Sequence, residues 1–170
     1  MVRSRHWATI ATCVVAIALA TAFNDSSQNP LANATLEATD GTRATFSDFD
    51  GQPLVVNLWA TNCAPCVHEM PALDQIATEF AGVVQVIGVN VLDTPENAAA
   101  FAAGLGVGYP QYTDTDGAVS SALSVTGLPA TGFFSADGEL IDVHQGAFTA
   151  DELRSAIAEH FPDASEGATK

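Results

Sequence analysis

Two cysteines stand three residues apart in the run Trp59-Ala60-Thr61-Asn62-Cys63-Ala64-Pro65-Cys66. Thiols at that spacing close into a disulfide and reopen, which makes them a candidate redox-active dithiol. Their flanks say what must hold them. Residues 53–58 are short, apolar and β-branched, the pattern of a strand covered on both faces. Beyond the dithiol, Cys66, Met70, Leu73, Ala77 and Phe80 recur at spacings of four, three, four and three, one face of a helix running to about residue 80. The pair therefore sits where a strand hands over to a helix N-terminus. Unpaired N–H groups and the positive end of the helix dipole there favour a thiolate over a thiol. Cys63, the first and more exposed cysteine, is expected to attack, and Cys66, one turn in on the apolar face, to resolve. Pro65 suits a first helical turn, where a missing N–H costs nothing.

Other chemistries need residues this chain does not place. A zinc site wants four ligands, and no second Cys pair or His-x₃₋₅-His is present. Covalent haem attachment needs a histidine directly after the second cysteine, where Val67 stands, with His68 one residue too late. A peroxidatic Pro-x-x-x-Thr-x-x-Cys pattern would put proline and threonine where the chain has Val56 and Ala60. A purely structural disulfide is the competing reading, yet so small a loop removes little chain entropy and makes a poor staple. A reading of a different class is a non-catalytic Cu(I) chaperone using Cys63, Cys66 and His68, since soft thiolates suit that ion. Glu69, three residues after Cys66, is either a solvated helix acid or a partly buried carboxylate that accepts the Cys66 proton. Trp59 is either a support beneath the site or a plain core aromatic. His144 reads as a surface histidine without a partner at strand spacing.

At 170 residues the chain is long enough for one domain of ordinary size. Its formal charge is −15. From Phe23 onward, Arg43, Arg154 and Lys170 face all twenty carboxylates, a net −17. Such a field repels phosphate backbones and anionic lipid, which argues against nucleic-acid binding. The acids are dispersed, as on a solvated surface. Residues 1–6 are basic and residues 7–23 hold no charge, the form of an export signal. That stretch is short for a membrane span and long for a signal core, and Ala20-Thr21-Ala22 has the form of a cleavage site. Cleavage and retention as a membrane anchor both stay open. Cys13 lies inside the segment, with apolar or small residues after it, and reads as a small apolar residue.

Residues 24–34 read as a linker, residues 35–162 as the domain, and residues 163–170 as a disordered tail. Within the domain, residues 35–38 and 43–45 flank Asp40-Gly41 as a small hairpin. Residues 46–52 read as a loop. Pro71 should bend the first helix. Residues 83–91 are a second covered strand. Thr94-Pro95 opens a helix with Phe101, Ala102 and Leu105 inward, stopped by residues 106–108. Residues 111–113 suggest a short strand, and Asp116 the cap of a brief helix to Leu123. Residues 131–135 and 140–145 form an antiparallel hairpin, and Thr149-x-x-Glu152 is a capping box opening a last helix. This order predicts an α/β domain, a mixed sheet with helices on both faces, its site at a strand's carboxyl end.

The run Trp59-Ala60-Thr61-x-Cys63-Ala64-Pro65-Cys66, followed by Glu69-Met70-Pro71 and, downstream, by Gly127-Leu128-Pro129-Ala130-Thr131, resembles the TlpA/ResA/DsbE-like branch of the thioredoxin superfamily. The resemblance covers roughly residues 36–161. It implies a thioredoxin-like fold with an N-terminal hairpin and, between Pro95 and Thr113, the central αβ insertion that separates this branch from plain thioredoxin. It also implies thiol–disulfide exchange outside the cytoplasm with protein disulfide or dithiol substrates, the reducing direction preferred, often in cytochrome c maturation, and no cofactor. A membrane dithiol carrier would supply electrons. The residues it marks are Cys63 and Cys66, with Glu69 at a position where ResA-like proteins carry a glutamate. Asn57, at the place of thioredoxin's strand aspartate, cannot take a proton. Leu128-Pro129 would be the cis-proline turn facing the dithiol, its backbone pairing with a substrate strand, with Trp59 beside it. Asn62 and the Val67-His68 pair depart from the branch's usual residues.

Overall fold

The computed structural model describes residue 31, residues 34–38 and residues 40–167. Residues 1–30, with the signal or anchor segment, Cys13 and most of the linker, lie outside the described residues. Among those described, no helix is long and apolar enough to cross a membrane.

The N-terminal hairpin forms as expected, β1 (Thr35–Ala38) pairing antiparallel with β2 (Arg43–Thr45) around Gly41, whose φ of 81° suits a residue without a Cβ. The segment read as a loop instead contains a 3₁₀ turn, Phe46–Phe49. Asp48 accepts a hydrogen bond from the Thr45 N–H at 2.7 Å, which tightens the chain and turns both phenylalanines into the core. Next come β3 (Leu54–Trp59), α1 (Ala64–Glu79), β4 (Gln85–Asn90), α2 (Pro95–Leu105), β5 (Gln111–Thr113), α3 (Ala118–Ala122), β6 (Ala130–Phe134), β7 (Leu140–Gln145), α4 (Ala150–His160) and α5 (Pro162–Gly167). The last is a correction: the tail read as disordered continues into a short helix through residue 167, with Ala164 buried.

All seven strands join one sheet in the order β2-β1-β5-β4-β3-β6-β7. β3 lies parallel to β4 and antiparallel to β6, so the sheet is mixed, as the order of elements predicts. Strand alternation divides the core. Val55 and Trp59 face a cluster with Cys66, Met70, Leu73 and Ile76 of α1, Ala98 and Ala102 of α2, and Leu153 and Ile157 of α4. Leu54, Val56 and Leu58 face the other way, against Val119, Leu123, Phe46 and Phe49. Each residue of β3 is buried, which explains its otherwise apolar composition and makes Asn57 in its middle conspicuous.

Two local expectations change. Leu105, placed inward by spacing, is 39% exposed, because α2 buries the small face of Ala98 and Ala102 and ends at Gly106 in the left-handed conformation. The brief helix α3 is held chiefly by Asp114 rather than Asp116. Its carboxylate accepts from the N–H groups of Val119 and Ser120 and from the Ser120 hydroxyl, while Asp116 takes only the Ala118 N–H.

Candidate active site

β3 ends at Trp59 and the chain turns through Ala60–Asn62 into α1, so the cysteines stand at the carboxyl edge of the sheet. Cys63 is the N-cap of α1, its Sγ accepting a hydrogen bond from the Cys66 N–H at 3.3 Å. Pro65 lies in the first turn. Cys63 and Cys66 are joined in a disulfide with S–S 2.04 Å. Cys63 keeps partial exposure and Cys66 has none, the asymmetry expected of an attacking and a resolving sulfur.

The turn before Cys63 is fastened from the neighbouring strand. Asp93 Oδ1 accepts from the Thr61 hydroxyl at 2.7 Å, and its Oδ2 from the Thr61 N–H at 3.0 Å and Asn90 Nδ2 at 2.8 Å. Asn90 Oδ1 accepts in turn from the Leu92 and Asp93 N–H groups. Nothing in the sequence marks this clip, since its halves lie 32 residues apart.

Glu69 is far more enclosed than a helix acid one turn after Cys66 would suggest, only 2% exposed. Its Oε1 accepts from the Phe148 N–H at 2.9 Å and its Oε2 from Asn57 Nδ2 at 3.0 Å. Burial withdraws water from the carboxylate and pushes its pKa up to about 7, against the pull of these two donors. No charged partner offsets the desolvation among the causes of this shift. The carboxyl group thus changes protonation near neutral pH, as a proton acceptor for a thiol requires.

Asn57 also donates to Thr131 Oγ1 at 3.2 Å, and the two residues face each other across the β3–β6 pair. A polar residue in a fully covered strand was the available signal for this contact. The Phe148 N–H, 79 residues from Glu69, left no such signal.

Leu128–Pro129 is a cis peptide bond. Ala130 lies opposite Leu58, so this turn enters the sheet level with the point where β3 leaves for the dithiol. Leu128 is half-buried and packs, like Cys63, against the α1-side cluster, while Pro129 is buried. Trp59 is fully buried in the cluster that holds Cys66, its ring 6.0 Å from that of Phe101. It presents no surface to a substrate, which corrects its placement among substrate-binding residues. His144 is not a bare surface residue either, for its ring stacks on Phe148 at 4.1 Å. His68 is exposed, and among the described residues no group of three or more His, Cys, Asp or Glu side chains is arranged to hold a metal ion. The set proposed for Cu(I) is therefore not assembled.

Two clefts, of about 440 Å³ beside β7 and α4 and about 690 Å³ under the far end of α1, include neither cysteine. Of the dithiol, Cys63 alone keeps any exposure to solvent.

A profile of the AhpC/TSA family matches residues 28–143. The thiol-disulfide oxidoreductase ResA of Bacillus subtilis is 33% identical over 118 residues, covering 69% of this chain; the chain spans 66% of that protein's length. The thiol:disulfide interchange protein HelX of Rhodobacter capsulatus is 33% identical over 144 residues, 79% of this chain and 80% of that one. Among solved structures, MTB dsbF in mixed oxidized and reduced forms superimposes with a TM-score of 0.69 at 29% identity, over 76% of this chain and 96% of that one. A secreted Mycobacterium tuberculosis disulfide oxidoreductase homologous to E. coli DsbE shares the fold, with a TM-score of 0.66 at 24% identity, over 78% and 98%.

Proposed function

The chain belongs to the AhpC/TSA family, and from that premise we propose that it is a thiol–disulfide oxidoreductase that reduces protein disulfides outside the cytoplasm. The observation that carries this reading is the pairing of a partly exposed cap sulfur, Cys63, with a buried partner, Cys66, one turn before a carboxyl group that titrates near neutrality.

In the reduced protein, the Cys63 thiolate attacks a substrate disulfide, forming a new S–S bond to one substrate sulfur and expelling the other as thiolate. The N-terminal turn of α1 favours the charge on Cys63. Cys66 then loses its proton to Glu69, attacks Cys63 Sγ and releases the second substrate thiolate, which takes up a proton. Two electrons have passed to the substrate and the protein is left as the disulfide seen here. A dithiol carrier in the membrane returns two electrons by the reverse exchange. The Leu128–Pro129 turn, level with the dithiol's exit from the sheet, offers backbone groups to a substrate strand.

The basic start and the uncharged stretch at residues 7–23 support a location outside the cytoplasm, with the segment acting as a cleaved signal or as an anchor. Reduction of cysteines during cytochrome c maturation is the setting that the resemblance to ResA-like proteins favours. Peroxide reduction is disfavoured by Val56 and Ala60 in the places of the peroxidatic proline and threonine.

Turnover of insulin disulfides with a dithiol reductant tests the reading. Cys63→Ala is expected to abolish it, and Cys66→Ala to accumulate a mixed disulfide at Cys63 that resists release. Full activity in Cys63→Ala would exclude exchange chemistry at this pair, and an equilibrium potential near that of strong oxidants would reverse the direction.

A further inference from the structure

The two oxygens of Glu69 meet donors of different kinds. Oε1 faces the Phe148 N–H, a backbone group that can only donate. Oε2 faces Asn57 Nδ2, which belongs to a side chain that carries a donor at one end and an acceptor at the other. The acceptor, Asn57 Oδ1, is buried with no hydrogen-bond partner. The second partner of Asn57 Nδ2, Thr131 Oγ1, is a hydroxyl that both donates and accepts.

Resting on the proton-acceptor role given above to Glu69, we propose that Asn57 is a reversible positioning residue: when Glu69 takes the Cys66 proton, that proton resides on Oε2 and the Asn57 amide turns over to accept it. With the carboxylate charged, Nδ2 donates to Oε2 and to Thr131 Oγ1, the arrangement in this structure. With the carboxyl neutral, a proton on Oε2 would point at an N–H if Asn57 stayed put. Rotating the amide by half a turn brings Oδ1 into that place, where it accepts from the Glu69 O–H and from the Thr131 hydroxyl, which swings from acceptor to donor. One end of the amide lacks a partner in either orientation: Oδ1 while the carboxylate is charged, and Nδ2 once it is neutral. No covalent bond changes other than the transfer of one proton from Cys66 Sγ to Glu69 Oε2.

An aspartate at position 57 would act differently, since it would bring a second titrating charge against Glu69. Asparagine serves both protonation states and adds no charge. The titratable groups around Glu69 are Cys66 on its own helix and Tyr109, a buried hydroxyl whose pKa is raised first by burial and also by the charges of Glu69 and Asp74. From the β7–α4 side, His144 lies opposite Thr131 in the ladder, stacks its ring on Phe148 and interacts electrostatically with Glu152. Among the described residues the Glu69 carboxyl group accepts from the Phe148 N–H and from Asn57 Nδ2, so Asn57, with Thr131 behind it, is the side chain that responds directly.

NMR of the full chain in its disulfide form tests this without a variant. The Glu69 side-chain carboxyl carbon is followed from about pH 5 to about pH 9, spanning a group that titrates near neutrality, alongside the two Asn57 side-chain amide protons. The expected result is that both amide protons shift with the Glu69 midpoint and that their nuclear Overhauser contacts to Thr131 weaken on the acid side. Amide protons that keep those contacts through the titration would overturn the proposal. Asn57→Leu supplies a second reading. A partner that serves both forms predicts a Glu69 midpoint moved by less than about half a pH unit, whereas a fixed donor predicts a rise of about one unit or more. The base role is read separately, from the pH dependence of mixed-disulfide resolution. A resolution rate indifferent to Glu69 protonation would remove that role while the amide response stood or fell on its own spectra.

Discussion

Glu69 links burial to chemistry through a single carboxyl group. Its folded pKa of about 7 lies above the ordinary value of 4.5, so between those two the folded state holds a proton that the unfolded chain has released. Stability from this group is therefore fully present below about pH 4.5 and lost as pH rises through 7, a swing on the order of 3 kcal/mol. Glu69→Gln removes the titration. Urea denaturation at pH 5.5 and pH 8 should show the wild type losing stability relative to the variant as pH rises, and equal differences at the two pH values would contradict the burial of this charge. In exchange kinetics the same variant should slow resolution of the mixed disulfide and flatten its pH profile, while the first attack by Cys63 keeps its rate.

At the scale of elements, the handover from β3 to α1 depends on a neighbour. Asp93 gathers Thr61 and Asn90 into one cluster, so the turn carrying the reactive sulfur inherits the rigidity of β4. Asp93→Ala leaves partly buried donors unpaired and should cost about 1–3 kcal/mol. Faster hydrogen exchange at Thr61 and Cys63, with less change in the centre of β3, would accompany that loss. The contrast with the rest of the fold is instructive. The strand and helix around the dithiol, the β6–β7 hairpin and the Thr149 capping box could be read from periodicity and local capping chemistry, because each is specified by residues a few positions apart. The clip at Asp93, the Phe148 N–H on Glu69 and the Asp114 cap of α3 depend on packing or on carboxylates choosing among several nearby donors. Asn57 was visible as a polar residue in an apolar strand, but its contact with Glu69 depends on how α1 lies across that strand. Trp59 shows the converse: the resemblance set it beside the Leu128–Pro129 turn among the substrate-binding residues, and strand alternation directs it into the core instead.

At the scale of the whole molecule, the charge of −15 is spread over a domain with few cations to offset it. Carboxylates on a compact body repel one another more than on an expanded chain, and dissolved ions screen that repulsion. The thermal midpoint at pH 7.5 is expected to rise between about 10 mM and about 500 mM sodium chloride, as the screening length shrinks from roughly 30 Å toward a few ångströms. A midpoint that falls with salt would point instead to net stabilisation by surface ion pairs. Salt should leave the Glu69 contribution nearly untouched, because burial rather than a neighbouring charge creates it. The scarcity of cations has one more effect, centred on Arg154, which reaches from α4 to Glu79 of α1 at 2.7 Å and to Asp151 at 2.6 Å. Trypsin cuts after lysine or arginine, and among the described residues it finds only Arg43 and Arg154. The second lies inside a helix clamped to its neighbour, so scission there requires α4 to come loose. A digest timed by mass spectrometry, watching for the fragment that begins at Ser155, turns this sparse pattern into a clock for the detachment of one helix.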